Sequence, residues 1–188
     1  AKTVTLYHTS DTHGFFYPKN GRGGAAALAA VLEKEKNPYL LLDSGDFAEG
    51  TVETQRSRGL KAVQLMNRLG YDAATVGNHE FAFRDEGFAS LAKEAQFPLL
   101  AANLTEVASG NYPPGVLPYK IFQINGVKVA VIGLANMRPT NTTRQYTLSK
   151  PFPSLKKALQ EIAPQHPQVV VVLAHDSLGD DRPGHPFY

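Results

Sequence analysis

In the stretch TSDTHGFF, residues 9–16, an aspartate and a histidine stand two positions apart and a glycine follows. Residues at i and i+2 in an extended or turning backbone can aim at one point, and a carboxylate and an imidazole are both metal ligands. Asp11 and His13 are therefore half of a metal site or an ordinary strand-end turn, because Asp, Thr and Gly also favour turns. Three later stretches bear on that choice. DSGDF carries Asp43 and Asp46, GNHEF carries Asn78, His79 and Glu80, and AHD carries His175 and Asp176, each just past an apolar run. Two divalent cations about 3.5–4 Å apart can clamp a phosphoryl group and generate hydroxide, and holding them takes a bridging carboxylate with nitrogen and oxygen ligands on either side. Asp46 suits the bridge, Asp11 and His13 one ion, and Asn78 and His175 the other. His79 suits protonation of a leaving oxygen, or stabilisation of the charge that builds on it.

These side chains can meet only if the elements beneath them are parallel and share an end. Residues 3–9 read as a strand, 24–36 as a helix, 39–43 as a buried strand, and 54–69 as a helix closed by Gly70. Residues 73–76 read as a third strand, 85–95 as a helix and 98–103 as another strand. That alternation implies βαβ units and a largely parallel sheet, whose ligands gather outside the carboxyl ends of the strands. YKIFQI and VKVAVIGL flank Asn125-Gly126, a strong hairpin signal, so an antiparallel pair is expected, inserted or appended at the sheet edge. Residues 109–118 and 139–153 read as loops, 154–163 as a helix and 168–174 as a central strand.

With 188 residues, 43% hydrophobic and 19% charged, the chain has the make-up of a single globular domain. A formal charge of +2 with scattered Lys and Arg leaves no electrostatic footprint for nucleic acid or an anionic membrane. Zero cysteines exclude disulfides and thiolate metal sites, which leaves Asp, His, Asn and Glu as ligands. No apolar run approaches the ~20 residues of a membrane span. Ala1 in place of an initiator Met is expected to mark a processed or trimmed end, and hence an exported protein, periplasmic or extracellular.

Asp-x-His-Gly at 11–14, Gly-Asp at 45–46, Gly-Asn-His-Glu at 77–80 and the later His175, in that order, resemble the calcineurin-like metallophosphoesterases. HTSDTHG, Gly23-Gly24, AAN at 101–103 and KVAVIGL at 128–134 resemble their 5′-nucleotidase branch. The resemblance implies an α/β fold of four layers, α/β/β/α, with two facing mixed sheets. It also implies hydrolysis of small phosphate esters, nucleotides among them, at a centre of two divalent metal ions (Mn, Zn, Fe or Ca). Asp11, His13, Asp46, Asn78 and His175 would be the ligands and His79 the acid.

Two departures qualify this expectation. The family supplies further ligands from a Gly-His-x-His or Gly-His-x-Gln motif after another strand. Here Gly184-His185 lacks a preceding apolar strand and Phe187 takes the second ligand position, so His185 reads as a loop histidine. Residues 1–188 are thus expected to be one incomplete domain, the N-terminal part of the family's unit. The C-terminal strands and the separate domain that binds the nucleoside base would be missing. An unpaired sheet edge would then favour self-association or a completing segment. Secondly, nucleotidases usually carry an aspartate after Glu-Phe that orients the catalytic histidine, and here Ala82 stands there. Thiosulfohydrolases resemble this chain in lacking that aspartate. The alternatives to a phosphoesterase are accordingly such a relative or a non-catalytic metal-binding or interaction module. Phe15, Phe16, Phe81 and Phe83 border the expected site and read as packing under the loops, and His8 as a packed or hydrogen-bonded strand residue.

Overall fold

The computed structural model describes residues 2–136 and 143–176. Gly184, His185, Phe187 and the first part of the polar loop beginning at 139 lie outside those residues. A five-stranded parallel sheet is formed by β1 (Thr5–Thr9), β2 (Tyr39–Asp43), β3 (Ala73–Thr75), β4 (Leu99–Leu100) and β6 (Val116–Leu117), adjacent in that order. A second sheet holds β7 (Tyr119–Ile124), β8 (Val127–Leu134) and β10 (Val169–Ala174) in the order β10-β8-β7, with β8 parallel to β10 and antiparallel to β7. A short antiparallel ribbon pairs β5 (Leu104–Glu106) with β9 (Tyr146–Leu148).

The helices are α1 (Ala25–Leu32), α2 (Val52–Ser57), α3 (Leu60–Leu69), α4 (Arg84–Glu94) and α5 (Pro151–Ile162). Alternation along β2 sends its side chains to opposite faces. Leu41 joins Ala62, Val63 and Met66 of α3 and Phe88 and Leu91 of α4 in one buried cluster. Leu40 and Leu42 instead meet Val129, Val131 and Leu173 of the second sheet. On the far face of that sheet, Ala130, Ile132 and Leu134 pack against Ala158 and Ile162 of α5. The layers therefore run α/β/β/α, and β2, β3 and β4 are buried on both faces because both are covered, whereas β1 at the edge of the sheet leaves Leu6 and His8 exposed.

Several elements differ from expectation: β6 falls within the loop read at 109–118, and β9 and the first residues of α5 fall within the loop read at 139–153. The helix expected over 54–69 is two helices, since Arg58 and Gly59 adopt left-handed backbone (φ 50 and 83) and break the ladder. The hairpin at Asn125-Gly126 forms with φ 49 and 68 as its turn chemistry demands, but it builds a second sheet facing the first instead of extending an edge. β10 pairs only with β8 among the described residues, and Val169, Val170 and Val172 are 36–43% exposed, so it is an edge strand and not a central one. A run of valines specifies a strand but not its neighbours.

Candidate metal centre

The carboxyl ends of β1, β2, β3 and β10 converge on one rim, and the loops leaving them are tied to each other by backbone hydrogen bonds. The Asp11 N–H donates to the Gly45 carbonyl at 3.0 Å and the His13 N–H to the Asp46 carbonyl at 2.9 Å. Asp11, His13 and Asp46 all have left-handed backbone (φ 53, 47 and 59), a conformation non-glycine residues adopt at a cost of about 1 kcal/mol or more when surroundings over-determine it. Gly77 allows a close approach between two of these loops. A Cβ there would lie 2.2 Å from Asp46 Oδ1, so any side chain would push the GNHE loop off the GD loop.

Glu80 explains why both loops hold that shape. Its side chain is fully buried, and its two oxygens accept four backbone N–H groups: Asp46 and Gly77 on Oε2 (2.9 and 2.7 Å), Phe47 and Ala48 on Oε1 (2.9 and 3.0 Å). Burial, with the Asp46 carboxylate nearby, pushes the Glu80 carboxyl up, and the N–H donors oppose this. Between the clamped Gly77 and His79, whose N–H donates to Asp46 Oδ1 at 2.8 Å, Asn78 is 7% exposed at the start of a 3-10 turn, His79–Phe81.

Asp46, 4% exposed, is common to two groups of ligand-type atoms, each confined within 4.8 Å: His13, Asp46 and His79 in one, Asp11, Asp46 and His175 in the other. Asp11 and His13, expected around one ion, thus fall into different groups, and His79 lies with His13. His175 Nε2 is 3.1 Å and His79 Nε2 3.8 Å from Asp46 Oδ2. The rings of His13 and His79 meet edge to face with centroids 4.6 Å apart.

Backbone carbonyls orient two of the three imidazoles. Nδ1 of His175 bonds the Ser44 carbonyl at 2.7 Å and Nδ1 of His13 bonds the Glu49 carbonyl at 2.8 Å. A carbonyl only accepts, so Nδ1 carries the proton in each ring and Nε2 is the nitrogen left to bind, an arrangement typical of metal-ligating histidines. Burial pushes the His175 imidazole down, but the Asp46 carboxylate more than offsets it and raises its pKa to about 9. Burial pushes Asp46 up, yet the His175 ring and the His79 N–H hold its carboxyl below the ordinary range. One carboxylate shared by two imidazoles and pinned by backbone donors is a set of nitrogen and oxygen donors that fits divalent ions such as Zn, Mn or Fe.

Sequence reasoning missed two partners here. Glu80 was visible only as the fourth letter of GNHE, with no sign that it ties two loops together. Glu49 was not singled out, yet its carboxylate meets His79 Nδ1 and also accepts from the Gln55 amide. Nothing local marks it, because its partner lies 30 positions further along the chain. Asn103, noted only within AAN, is a buried clip whose amide donates to the Ala135 carbonyl (2.9 Å) and accepts the Ala135 N–H (2.8 Å), joining the loops that follow β4 and β8. Of the bordering aromatics, Phe81 is buried against Phe88 at 4.6 Å between centroids, whereas Phe15 is 65% exposed. His8 bonds the Ser44 hydroxyl at 2.8 Å on the exposed side of β1.

Comparison with known proteins places this rim in a family. Snake venom 5'-nucleotidase from Gloydius brevicauda is 31% identical over 207 residues, covering 95% of this chain and 34% of the relative. A 5'-nucleotidase from Vibrio cholerae is 37% identical over 139 residues, covering 70% of this chain and 25% of its own length. The chain therefore spans about a third or less of these curated relatives. The crystal structure of a 5'-nucleotidase precursor from Thermus thermophilus superposes with a TM-score of 0.78 at 30% identity, over 92% of this chain and 37% of that one. Residues 4–187 match the family described as "Calcineurin-like phosphoesterase". The chain belongs to the calcineurin-like phosphoesterase family, whose members use divalent metals.

Proposed function

We propose that this chain is the metallophosphoesterase-like domain, residues 1–188, of a 5′-nucleotidase-type phosphate-ester hydrolase. Asp11, His13, Asp46, Asn78 and His175 hold two divalent ions, and His79 is the acid. The observation that carries the proposal is the buried Asp46 shared by two groups of nitrogen and oxygen donors at the strand-end rim. The relatives' names support the substrate class, a small phosphate ester such as a nucleotide. Their being a venom protein and a precursor supports a place of action outside the cytoplasm.

Two divalent ions bound there supply charge neutralisation on the phosphoryl oxygens and a water of lowered pKa. The chain's own residues do the rest. Asp46 is held rigid by the His79 N–H and by the Glu80 clamp behind it, so the centre's position is set before substrate arrives. As a water oxygen, its proton lost to solvent, bonds to phosphorus and the P–O ester bond breaks, the leaving oxygen takes a proton from Nε2 of the His79 imidazolium, the ring nitrogen nearer Asp46. His13 and His175 cannot turn away, because each Nδ1 is tied to a carbonyl.

The test is to strip the chain, reload it with Mn²⁺, count bound metal by mass spectrometry and follow phosphate release from nucleoside monophosphates. Two ions per chain and turnover, both lost in Asp46→Asn, are the expected results. Two bound ions with no turnover on any phosphate ester would replace the hydrolase by a binding module.

A further inference from the structure

We propose that Glu49 is the positioning residue that sets the ring direction and tautomer of His79, the task that an aspartate after Glu-Phe would otherwise perform. The proposal rests on the assignment of His79 as proton donor. Ala82 is exposed and offers only a methyl group from His79's own turn. The loop after β2 supplies the carboxylate instead. Among the described residues, Glu49 is the acid that meets His79 Nδ1.

The Glu49 carboxylate is held at both oxygens. Oε2 meets His79 Nδ1 and Oε1 accepts from the Gln55 amide on α2, so the group reaches the histidine already anchored. Its backbone carbonyl is also engaged, at 2.8 Å from His13 Nδ1. One residue therefore orients both rings of the edge-to-face pair. Gly50 makes the grip possible: a Cβ there would lie 2.5 Å from the His13 carbonyl oxygen and 2.7 Å from His13 Cβ, so only glycine lets the loop press onto His13 this closely.

A carboxylate accepts and does not donate, so Nδ1 of His79 must carry a proton. The other nitrogen, Nε2, is then the one turned toward Asp46, at 3.8 Å from Oδ2, on the side where a phosphoryl group held by the centre would lie. The ring acts as acid from its imidazolium form, with a proton on each nitrogen: the Nε2–H bond breaks and an O–H bond forms on the leaving oxygen, while Nδ1–H stays donated to Glu49 and the neutral Nδ1–H ring is left. Without Glu49, the neutral ring shares its single proton between both nitrogens and is free to rotate. A carboxylate or carbonyl behind a histidine typically contributes about 10- to 100-fold in activity through this kind of orientation.

The test compares the 188-residue chain with Glu49→Ala and Glu49→Gln in two ways. Nitrogen NMR of the metal-free proteins reads the His79 tautomer directly. The wild type is expected to carry the proton on Nδ1 and Glu49→Ala to lose that preference. Glu49→Gln, whose amide oxygen still accepts, is expected to retain it. In the Mn²⁺-loaded proteins, kcat is expected to fall about 10- to 100-fold in Glu49→Ala at unchanged KM, and to recover largely in Glu49→Gln. An identical His79 nitrogen pattern in all three proteins, a tautomer change that leaves kcat untouched, or a rise in KM alone would overturn the proposal. His79→Ala separates the two assignments. If it leaves turnover unchanged, His79 is not the acid, while the NMR comparison still decides whether Glu49 holds its ring.

Discussion

The rim of the first sheet and the outer edge of the second are built on opposite economies. At the rim, three non-glycine residues sit in left-handed backbone, yet Asp46, Asn78 and Glu80 are buried and the loops exchange hydrogen bonds with each other. At the edge, β10 is four valines and a leucine followed by an alanine, ladder-bonded to β8 and partly exposed. Strain and buried charge survive at the rim because Asp46 and Glu80 each have several partners. The β10 edge holds its place by backbone pairing and apolar area, so no single side chain there is decisive.

The largest effect should come from removing the acceptor that joins the two loops. Glu80→Ala leaves four buried N–H groups without a partner and is expected to cost at least about 3 kcal/mol, read as a lower urea midpoint at constant m-value. A loss under about 1 kcal/mol would mean that water replaces Glu80 and that the rim is less dependent on this clamp than its geometry suggests.

Asn103→Ala removes both bonds to Ala135 from a residue 2% exposed and should cost about 2 kcal/mol in the same measurement. Its effect on metal uptake sharpens the contrast. Asn103 joins the loops that follow β4 and β8 and supplies none of the clustered ligand atoms, so metal stoichiometry should be kept while stability falls.

Asp43 gives the rim a pH dependence that the edge lacks. It is buried, with Thr9 Oγ1–H donating at 2.6 Å and the Gly45 N–H at 2.7 Å, and burial raises its pKa from 3.8 to about 7. The folded state therefore holds a proton that the unfolded chain has lost between pH about 4 and about 7. Stability from this group falls as pH rises through that window, by about 1 kcal/mol per pH unit. Asp43→Asn should flatten the profile, shown by urea midpoints at about pH 5 and pH 7.5 that lie closer together in the variant than in the wild type. Equal spacing in both would show that Asp43 is ionised throughout.

The smallest effect belongs to the edge. Val170→Thr, at a site 43% exposed, keeps β-branching and the ladder bonds and should change stability by no more than about 0.5 kcal/mol in thermal unfolding. A loss above about 2 kcal/mol would mean that this face is covered, and would end the contrast between the two regions.

Much of the architecture was legible in the chain. β2 spans the residues its apolar run marked, α3 ends at Gly70 in left-handed backbone with φ 76, and the Asn125-Gly126 turn joins two antiparallel strands. Local patterns suffice there because period, cap and turn are properties of a few consecutive residues. The partnering of strands was less legible: the hairpin's sheet and the edge place of β10 depend on which apolar faces meet.

By itself the sequence determined the types of the clustered side chains, their order at strand ends and the absence of thiolates, since those follow from residue identity and a parallel βαβ pattern. Only the tertiary structure decided that Asp46 is shared between two groups, that His79 lies with His13, and that Glu80 and Glu49 hold loops and rings in place. Those contacts join residues 30 or more positions apart, and a long-range hydrogen bond leaves no trace in spacing. It exists because the sheet brings separate strand ends to one rim, where buried polar groups must find partners among whatever the fold has put beside them.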